Sequence, residues 1–245
     1  MLHPLIDGIL AASSRRGFAT ASSWPPWQRR DLPASARSLK SRGMIPIIAE
    51  IKPKALGRAL LPDEVAAYAA AYAENGACAL SVLTEPTHFQ GALESVSIAR
   101  RAGLPVLRKD FIFDERQLSE VQADLVLLIA ALGIDLSRFI EAARALGMEP
   151  LVEVHSEAEM KAALNTDARI IGINNRNLST LEVDLSTFER LAPQAREAGV
   201  FLVAESGVHS PEDARRMMAA GADALLVGTE LMGSPQRLAE LNRGH

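Results

Sequence analysis

The stretch DLVLLIAALGIDLSRFIEAARALGMEPLVEV, residues 124–154, decides the fold of this protein. It begins with the apolar run LVLLI (125–129) and ends in a second apolar run, PLVEV (150–154). Between them, DLSRFIEAARALG (135–147) places its apolar residues at helical spacing and carries Asp and Gly as start and stop signals. The stretch therefore predicts a strand, a helix and a second strand.

The same alternation of apolar runs and helical segments repeats from residue 46 onward. The eight strand candidates are PIIAE (46–50), ALSVL (79–83), PVLR (105–108), LVLLI (125–129), PLVEV (150–154), IIGI (170–173), VFLVA (200–204) and ALLVG (224–228). Strands this uniformly apolar have no wet face, which indicates a parallel sheet covered on its outside. Eight units favour a closed (β/α)8 TIM barrel over an open doubly wound sheet, which usually holds fewer.

The chain is expected to form one domain with a short N-terminal extension. A length of 245 residues with 48% hydrophobic composition suits one large core. Residues 46–245 are assigned to the barrel, and residues 1–45, which lack a strand-like run, to the extension. Apolar residues between Leu5 and Leu10 lie at helical spacing, so a short amphipathic helix is expected to pack on the barrel.

Charge and cysteine content narrow the expected partners and location. The 26 basic and 30 acidic residues give a net charge of -4, which disfavours a nucleic-acid partner. The longest apolar stretch is shorter than the roughly 20 residues of a membrane helix. Cys78 is the single cysteine, so no internal disulfide forms, and a reducing cytoplasmic location is favoured. The protein is expected to be a monomer or a weak homo-oligomer.

Charged residues follow several of the predicted strands, where the chemistry of such a barrel is located. Because side chains alternate along a strand, Glu50 and Lys52 share one side and face the barrel mouth. The same alternation brings Lys109 and Glu153 above inward-facing leucines. The residues predicted to surround one cavity are Glu50, Lys52, Lys109, Glu153, Asn174 and Arg176. Buried charges of this kind are tolerable as a paired network, which also shifts pKa values toward acid–base chemistry.

The seventh and eighth units predict a phosphate site. They read VAESGVHSPEDA (203–214) and ALLVGTELM (224–232), with a glycine directly after each strand. Phosphate sites of these barrels commonly form in the loops after strands 7 and 8. The candidate residues are Ser206, Gly207, Gly228 and Thr229. No metal site is predicted, because His155 and Glu153 share a phase without an evident third ligand, and His155 is interpreted as a loop residue.

In chain order, the motifs resemble the indole-3-glycerol phosphate synthase family over about residues 46–235. The matching motifs are IIAEIK, SVLTEPTHFQG, LPVLRKDFI, ADLVLLIAA, LVEVHS, IGINNRNL, VAESGV and LLVGTELM. The resemblance implies cofactor-free conversion of 1-(2-carboxyphenylamino)-1-deoxyribulose 5-phosphate to indole-3-glycerol phosphate, a carboxy-lyase reaction of tryptophan biosynthesis. Carbon dioxide and water are lost in this reaction.

The resemblance also implies roles for the predicted site residues. Lys109 would protonate the substrate carbonyl oxygen, Glu153 would act in the proton transfers of dehydration, and Lys52 would neutralise the substrate carboxylate or phosphate. The two lysines could exchange the acid role. The residues left to position the substrate and balance charge are Glu50, Asn174 and Arg176. Phe89 and Phe111 are candidates for aromatic walls, with core packing as the alternative.

One segment departs from the family pattern, and two other functions are alternatives. Residues 52–61 read KPKALGRALL, so Ala55 stands near the place where the family has a phosphate-contacting serine. The related barrel phosphoribosylanthranilate isomerase uses a Cys after strand 1 and an Asp after strand 6, where this chain has Glu50 and Asn174. A non-catalytic phosphate-ligand-binding barrel is the other alternative, although simple binding does not require two carboxylates beside a polyanion.

Overall fold

Eight parallel strands close into a barrel in the computed structural model, which describes residues 2–18 and 27–243. The strands are β1 (Ile47–Ile51), β2 (Ala79–Leu83), β3 (Val106–Lys109), β4 (Leu125–Ile129), β5 (Glu149–Val154), β6 (Ile170–Asn174), β7 (Phe201–Glu205) and β8 (Ala224–Val227). Each strand pairs with the next in chain order, and β8 pairs back with β1. The predicted (β/α)8 barrel is therefore confirmed over the open sheet.

Helices connect the strands and cover the outside of the barrel. They are α1 (Pro4–Arg16), α2 (Leu32–Lys40), α3 (Pro62–Glu74), α4 (Glu94–Ala99), α5 (Leu136–Ala145), α6 (Glu157–Leu164), α7 (Ser186–Glu197), α8 (Pro211–Ala219) and α9 (Arg237–Leu241). Side-chain caps begin several of them, as when Ser156 accepts a hydrogen bond from the Glu159 amide. The connection from β3 to β4 instead contains a 3-10 turn over Glu115–Ser119.

The barrel interior is built in layers from alternate strands, as the fold requires. On the odd-numbered strands, one interior set is apolar and comprises Ile48, Leu107, Leu151 and Val203. Two residues further along each strand, the next set comprises Glu50, Lys109, Glu153 and Glu205. The layer nearest the carboxyl ends of the odd strands is thus made of ionisable side chains rather than apolar ones.

The N-terminal segment contacts both ends of the barrel. Near the carboxyl ends of the strands, the His3 amide donates a hydrogen bond to the Leu178 carbonyl at 2.9 Å, and α1 buries Ile6 and Ile9. Near the opposite end, the Ser35 hydroxyl on α2 donates to the carbonyl of Cys78 at 2.6 Å. Residues 1, 19–26, 244 and 245 lie outside the described part, and the domain boundary at residue 46 stays a prediction.

None of the helices within residues 2–18 and 27–243 has the length and hydropathy that crossing a membrane requires.

Candidate functional site

A cavity of about 380 Å³ opens at the carboxyl ends of the strands. All of the residues predicted for the site contribute to its lining. They are Glu50, Lys52, Phe89, Lys109, Phe111, Glu153, Asn174, Arg176, Ser206, Gly207, Gly228 and Thr229. The structure therefore brings the predicted residues together in one place, while the chemical role of each stays a prediction.

Lys109 is the central cation of the cavity. Its Nζ lies 3.0 Å from Glu205 Oε2 and 3.4 Å from Glu50 Oε2. Burial opposes the charged form, but the carboxylates of Glu205, Glu50 and Glu153 together raise the pKa of Lys109 above its ordinary value. The side chain is therefore a persistent ammonium group that its carboxylate neighbours hold in one place.

Glu205 is the site residue that the sequence analysis missed. It ends β7 with a fully buried side chain, and it accepts a hydrogen bond from Lys109. Burial and the nearby Glu153 carboxylate raise the pKa of Glu205 to about 7, although Lys109 opposes the shift. The signal was present in VAESGV, because Glu205 follows inward-facing Val203 by two residues, as Glu153 follows Leu151.

Two glycines make room for the buried carboxylates. A Cβ atom on Gly172 would meet the carboxylate of Glu205 and would approach Leu151 Cδ2 to 2.7 Å. A Cβ atom on Gly228 would meet the carboxylate of Glu50 in the same way. Gly228 was singled out as a phosphate ligand, and the structure adds a second reason for glycine there, since any side chain would displace Glu50.

Lys52 is the second cation, and its electrostatic setting differs from that of Lys109. Its Nζ lies 3.4 Å from Thr229 Oγ1 and 4.0 Å from Glu50 Oε1. Burial lowers the pKa of Lys52, Glu50 opposes the shift, and the positive charges of Lys109 and Arg176 add to it. The depressed pKa that suits proton donation near neutrality therefore belongs to Lys52, whereas the pKa of Lys109 is raised.

Glu153 is held from the side by His155, which follows directly after β5. His155 Nε2 lies 3.0 Å from Glu153 Oε1, and its Nδ1 lies 3.1 Å from Glu159 Oε2. Burial disfavours the Glu153 carboxylate, but His155, Lys109 and Asn174 lower its pKa below the ordinary value. Burial likewise disfavours the imidazolium, yet the carboxylates of Glu153 and Glu159 raise the pKa of His155 to about 10. His155 lies in the loop after β5, and it contacts Glu153, which lines the cavity.

The candidate phosphate residues lie after β7 and β8. Ser206 and Gly207 adopt left-handed backbone angles, with φ of 63° and 85°. The turn is fixed by the Asn175 side-chain amide, which donates to the Ser206 carbonyl at 3.1 Å. Lys52 reaches this side of the cavity through its contact with Thr229. A hydroxyl group, exposed backbone and an ammonium group thus meet on one side, which suits an anion.

The opposite side of the cavity is apolar and aromatic. The rings of Phe89 and Phe111 stack with centroids 6.1 Å apart and an interplanar angle of 29°. Leu5 of α1 also lines the cavity, and Lys54 Nζ lies 5.0 Å from the Phe89 ring centroid. Neither Leu5 nor Lys54 was assigned to the site from the sequence. A flat apolar ligand group fits this wall, with a cation available at its edge.

Within residues 2–18 and 27–243, no three His, Cys, Asp or Glu side chains are grouped so that they could hold a metal ion.

Solved structures with the same fold include the N-acetylmannosamine-6-phosphate 2-epimerase from Clostridium perfringens. The chain matches it with a TM-score of 0.62 and 13% identity, covering 89% of this chain and 100% of the other. A structure described as native KDPGal matches with a TM-score of 0.57 and 18% identity, covering 80% of this chain and 92% of the other. At these identities the likeness concerns the fold alone.

Sequence comparison is more specific. The chain is 48% identical over 243 residues to the indole-3-glycerol phosphate synthase of Halobacterium salinarum, covering 95% of this chain and 92% of the relative. It is 44% identical over 239 residues to that of Haloarcula marismortui, covering 94% and 87%. The family model described as indole-3-glycerol phosphate synthase matches residues 11–243. The chain therefore belongs to the indole-3-glycerol phosphate synthase family.

Proposed function

We propose that the protein is an indole-3-glycerol phosphate synthase, a carboxy-lyase that closes the indole ring of 1-(2-carboxyphenylamino)-1-deoxyribulose 5-phosphate. The observation that carries the proposal is the match to this family over residues 11–243. The cavity agrees with it, because one ammonium group among three carboxylates lies between an aromatic wall and an anion-binding side. The isomerase and the non-catalytic barrel are not favoured by the relatives.

The two sides of the cavity suit the two ends of this substrate. The aryl ring is placed against Phe89 and Phe111, where stacking and burial stabilise a flat ring. The phosphate is placed against Ser206, Gly207 and Thr229, where Lys52 supplies a positive charge. In this orientation the ribulose carbonyl lies between the two sides, in reach of the ionisable layer.

Ring closure requires a proton at the carbonyl oxygen. Lys109 donates this proton as the aryl carbon that carries the carboxylate attacks the carbonyl carbon, so that a carbon–carbon bond forms and a hydroxyl group results. Carbon dioxide then leaves, and its bonding electron pair returns to the ring. The raised pKa of Lys109 keeps the ammonium group present at neutral pH, and the proton is transferred only when negative charge develops on the oxygen.

Dehydration completes the indole. Glu153 accepts the proton from the carbon beside the ring nitrogen, and the new hydroxyl group departs as water with a proton from Lys52. The lowered pKa of Lys52 suits it as a donor in this step, and the lowered pKa of Glu153 keeps it ionised until it accepts the proton. Glu50, Asn174 and Arg176 are assigned to charge balance and positioning, and Glu205 holds Lys109.

The location and partners of the enzyme are part of the same proposal. A cytoplasmic location agrees with Cys78 as the single cysteine, and the net charge of -4 agrees with a small-molecule substrate rather than a nucleic-acid partner. A monomer or weak homo-oligomer is proposed, with residues 1–45 as an extension on a barrel of residues 46–245.

The direct test is to mix the purified protein with the carboxyphenylamino substrate and follow the appearance of indole fluorescence. We expect turnover without added metal or cofactor, and no signal from the same protein unfolded in urea. A protein that binds the substrate without turnover would support the non-catalytic barrel. Turnover of phosphoribosylanthranilate instead would support the isomerase.

A further inference from the structure

His155 connects Glu153, inside the barrel, with Glu159 of α6, on the outside. Its side chain is 9% exposed and lies between Glu153, 3% exposed in the cavity, and Glu159, 24% exposed on α6. Nε2 lies 3.0 Å from Glu153 Oε1 as a close ion-pair contact, and Nδ1 lies 3.1 Å from Glu159 Oε2 with hydrogen-bond geometry. Two carboxylates this close to one imidazole favour its charged form, the imidazolium.

The outer carboxylate is itself fixed. Glu159 Oε2 accepts a hydrogen bond from the His155 amide at 2.9 Å, and Oε1 accepts one from the Ser156 hydroxyl at 3.0 Å. These contacts lie in the first turn of α6, where the helix dipole also stabilises negative charge. Glu159 is therefore a rigid anchor for the ring, rather than a mobile surface charge.

We infer that His155 is a positioning residue for Glu153: held against Glu159, it fixes the orientation of the Glu153 carboxylate and supplies the positive charge that balances it. The inference rests on the proposed function, since it gives the reason why one of the cavity carboxylates is held ready as a base. It assigns no contact between His155 and the substrate.

The other groups around Glu153 show why this charge matters. Lys109 of β3 and the Asn174 amide of β6 favour the carboxylate, while Glu205 of β7 shares the same buried space. The turn over Ala130–Leu132, which packs against β5 and α6, has no titratable side chain. With Lys109 shared among Glu50, Glu153 and Glu205, the imidazolium is the cation closest to Glu153.

The substitution His155→Gln tests the inference, because an amide can donate one hydrogen bond but has no charge. Removing a cation 3.0 Å from Glu153 raises the pKa of the carboxyl by about 1–3 units. We expect the acidic limb of the kcat profile to move to higher pH by that amount. At pH 7 the Glu153 carboxylate stays ionised, so the expected fall in kcat there, roughly tenfold, comes from its lost orientation. KM should change less than twofold, since the ring does not touch the substrate.

Two matched variants in the same helical turn separate this from a loss of structure. Glu159→Gln removes the anchor and should move the acidic limb in the same direction by a smaller amount. Glu157→Gln makes the same change on an exposed residue of α6 and should leave the profile unchanged. An unchanged profile in His155→Gln, or an equal shift in Glu157→Gln, would overturn the inference.

A second measurement does not depend on catalysis. In wild-type protein, NMR of the imidazole nitrogens should show His155 doubly protonated at pH 8, in agreement with a pKa raised to about 10. A neutral ring at pH 8 would overturn the inference even in an active enzyme. A charged ring in a protein without synthase activity would instead overturn the proposed function and leave the pairing intact.

Discussion

The two ends of the barrel both carry buried carboxylates, but they neutralise them differently. At the amino ends of the strands, Asp124 accepts hydrogen bonds from Arg100 and from the amides of Arg30 and Val106. Glu149 is likewise paired with several arginines, including Arg29 at 2.7 Å. At the carboxyl ends, Glu50, Glu153 and Glu205 share Lys109, and Glu205 Oε1 has no hydrogen-bond donor among the described residues.

This difference indicates that the amino ends of the strands serve stability and the carboxyl ends serve catalysis. An arginine stays charged at any ordinary pH and donates several fixed hydrogen bonds, so the ion pairs at the amino ends stabilise the fold at every such pH. Lysine, histidine and glutamate can exchange protons. At the carboxyl end four such residues have strongly displaced pKa values: Lys109, Glu153, His155 and Glu205. Substitutions at the carboxyl ends of the strands should therefore affect turnover. Substitutions at the amino ends should affect the free energy of unfolding.

The largest expected effect is that of Lys109→Ala. Turnover should fall by about 10²-fold or more, because the proposed proton donor, and with it the charge proposed to stabilise the forming hydroxyl, is lost. The protein should remain folded, since the carboxylates that Lys109 served can protonate instead. Steady-state kinetics and circular dichroism check the two statements, with exposed Lys161→Ala as the control. Near-normal turnover of Lys109→Ala would remove its catalytic assignment.

The converse change is Asp124→Ala at the amino end. It leaves Arg100 and two backbone amides without their acceptor in a buried site, which should lower the free energy of unfolding by about 3 kcal/mol. The value of kcat at 25 °C should stay within twofold. Urea denaturation and kinetics measure both, and Asp167→Ala, an exposed change, serves as the control. A large drop in kcat with unchanged stability would contradict the division between the two ends.

Gly172→Ala tests whether the space at the carboxyl end is needed by the buried carboxylate. The added methyl group would meet Glu205 and crowd Leu151, so overpacking should cost about 2 kcal/mol of stability. Moving Glu205 would also displace Lys109, and kcat should fall roughly tenfold. Gly199→Ala, where a Cβ atom meets open space, controls for the loss of glycine but carries the strain of its positive φ. Unchanged kcat in Gly172→Ala would show that Glu205 does not position Lys109.

The sequence predicted the barrel and much of the cavity because both depend on local periodicity. The eight apolar runs lie within one residue of the observed strands, as in β1, predicted at 46–50 and found at Ile47–Ile51. Alternation then located Glu50, Lys109 and Glu153, and it would have located Glu205 had the seventh strand been extended by one residue.

Other features could not be predicted, because they depend on contacts between elements. The anchor of His155 is on α6, and the role of Gly228 as space for Glu50 depends on the pairing of β8 with β1. The contribution of α1 to the cavity wall depends on where the N-terminal segment packs. The direction of the pKa shift of Lys109 also required the number of carboxylates around it, which the sequence analysis undercounted by one.

The smallest expected effect is a change in how stability depends on pH. The unfolded carboxyl of Glu205 ionises near its ordinary pKa of 4.5, whereas the folded one ionises near 7, so the folded protein binds the extra proton between these values. Stability from this group is complete below pH 4.5 and is lost as the pH rises through 7. Between pH 6 and pH 8 the free energy of unfolding should therefore fall by about 1 kcal/mol more in the wild type than in Glu205→Gln.

Comparing the wild type with Glu205→Gln separates the contribution of Glu205 to the pH dependence from the contributions of its neighbours. The folded pKa of His155 is raised to about 10, so its contribution to stability also decreases as the pH rises above the pKa of the unfolded residue. This decrease is the same in both proteins. The pKa of Glu153 is lowered, so its contribution to the stability of the protein is lost only in strong acid and does not change between pH 6 and pH 8. Urea midpoints at pH 6 and pH 8 provide the measurement. If the two proteins change in parallel, Glu205 does not change its ionisation between pH 6 and pH 8, and a folded pKa near 7 is contradicted.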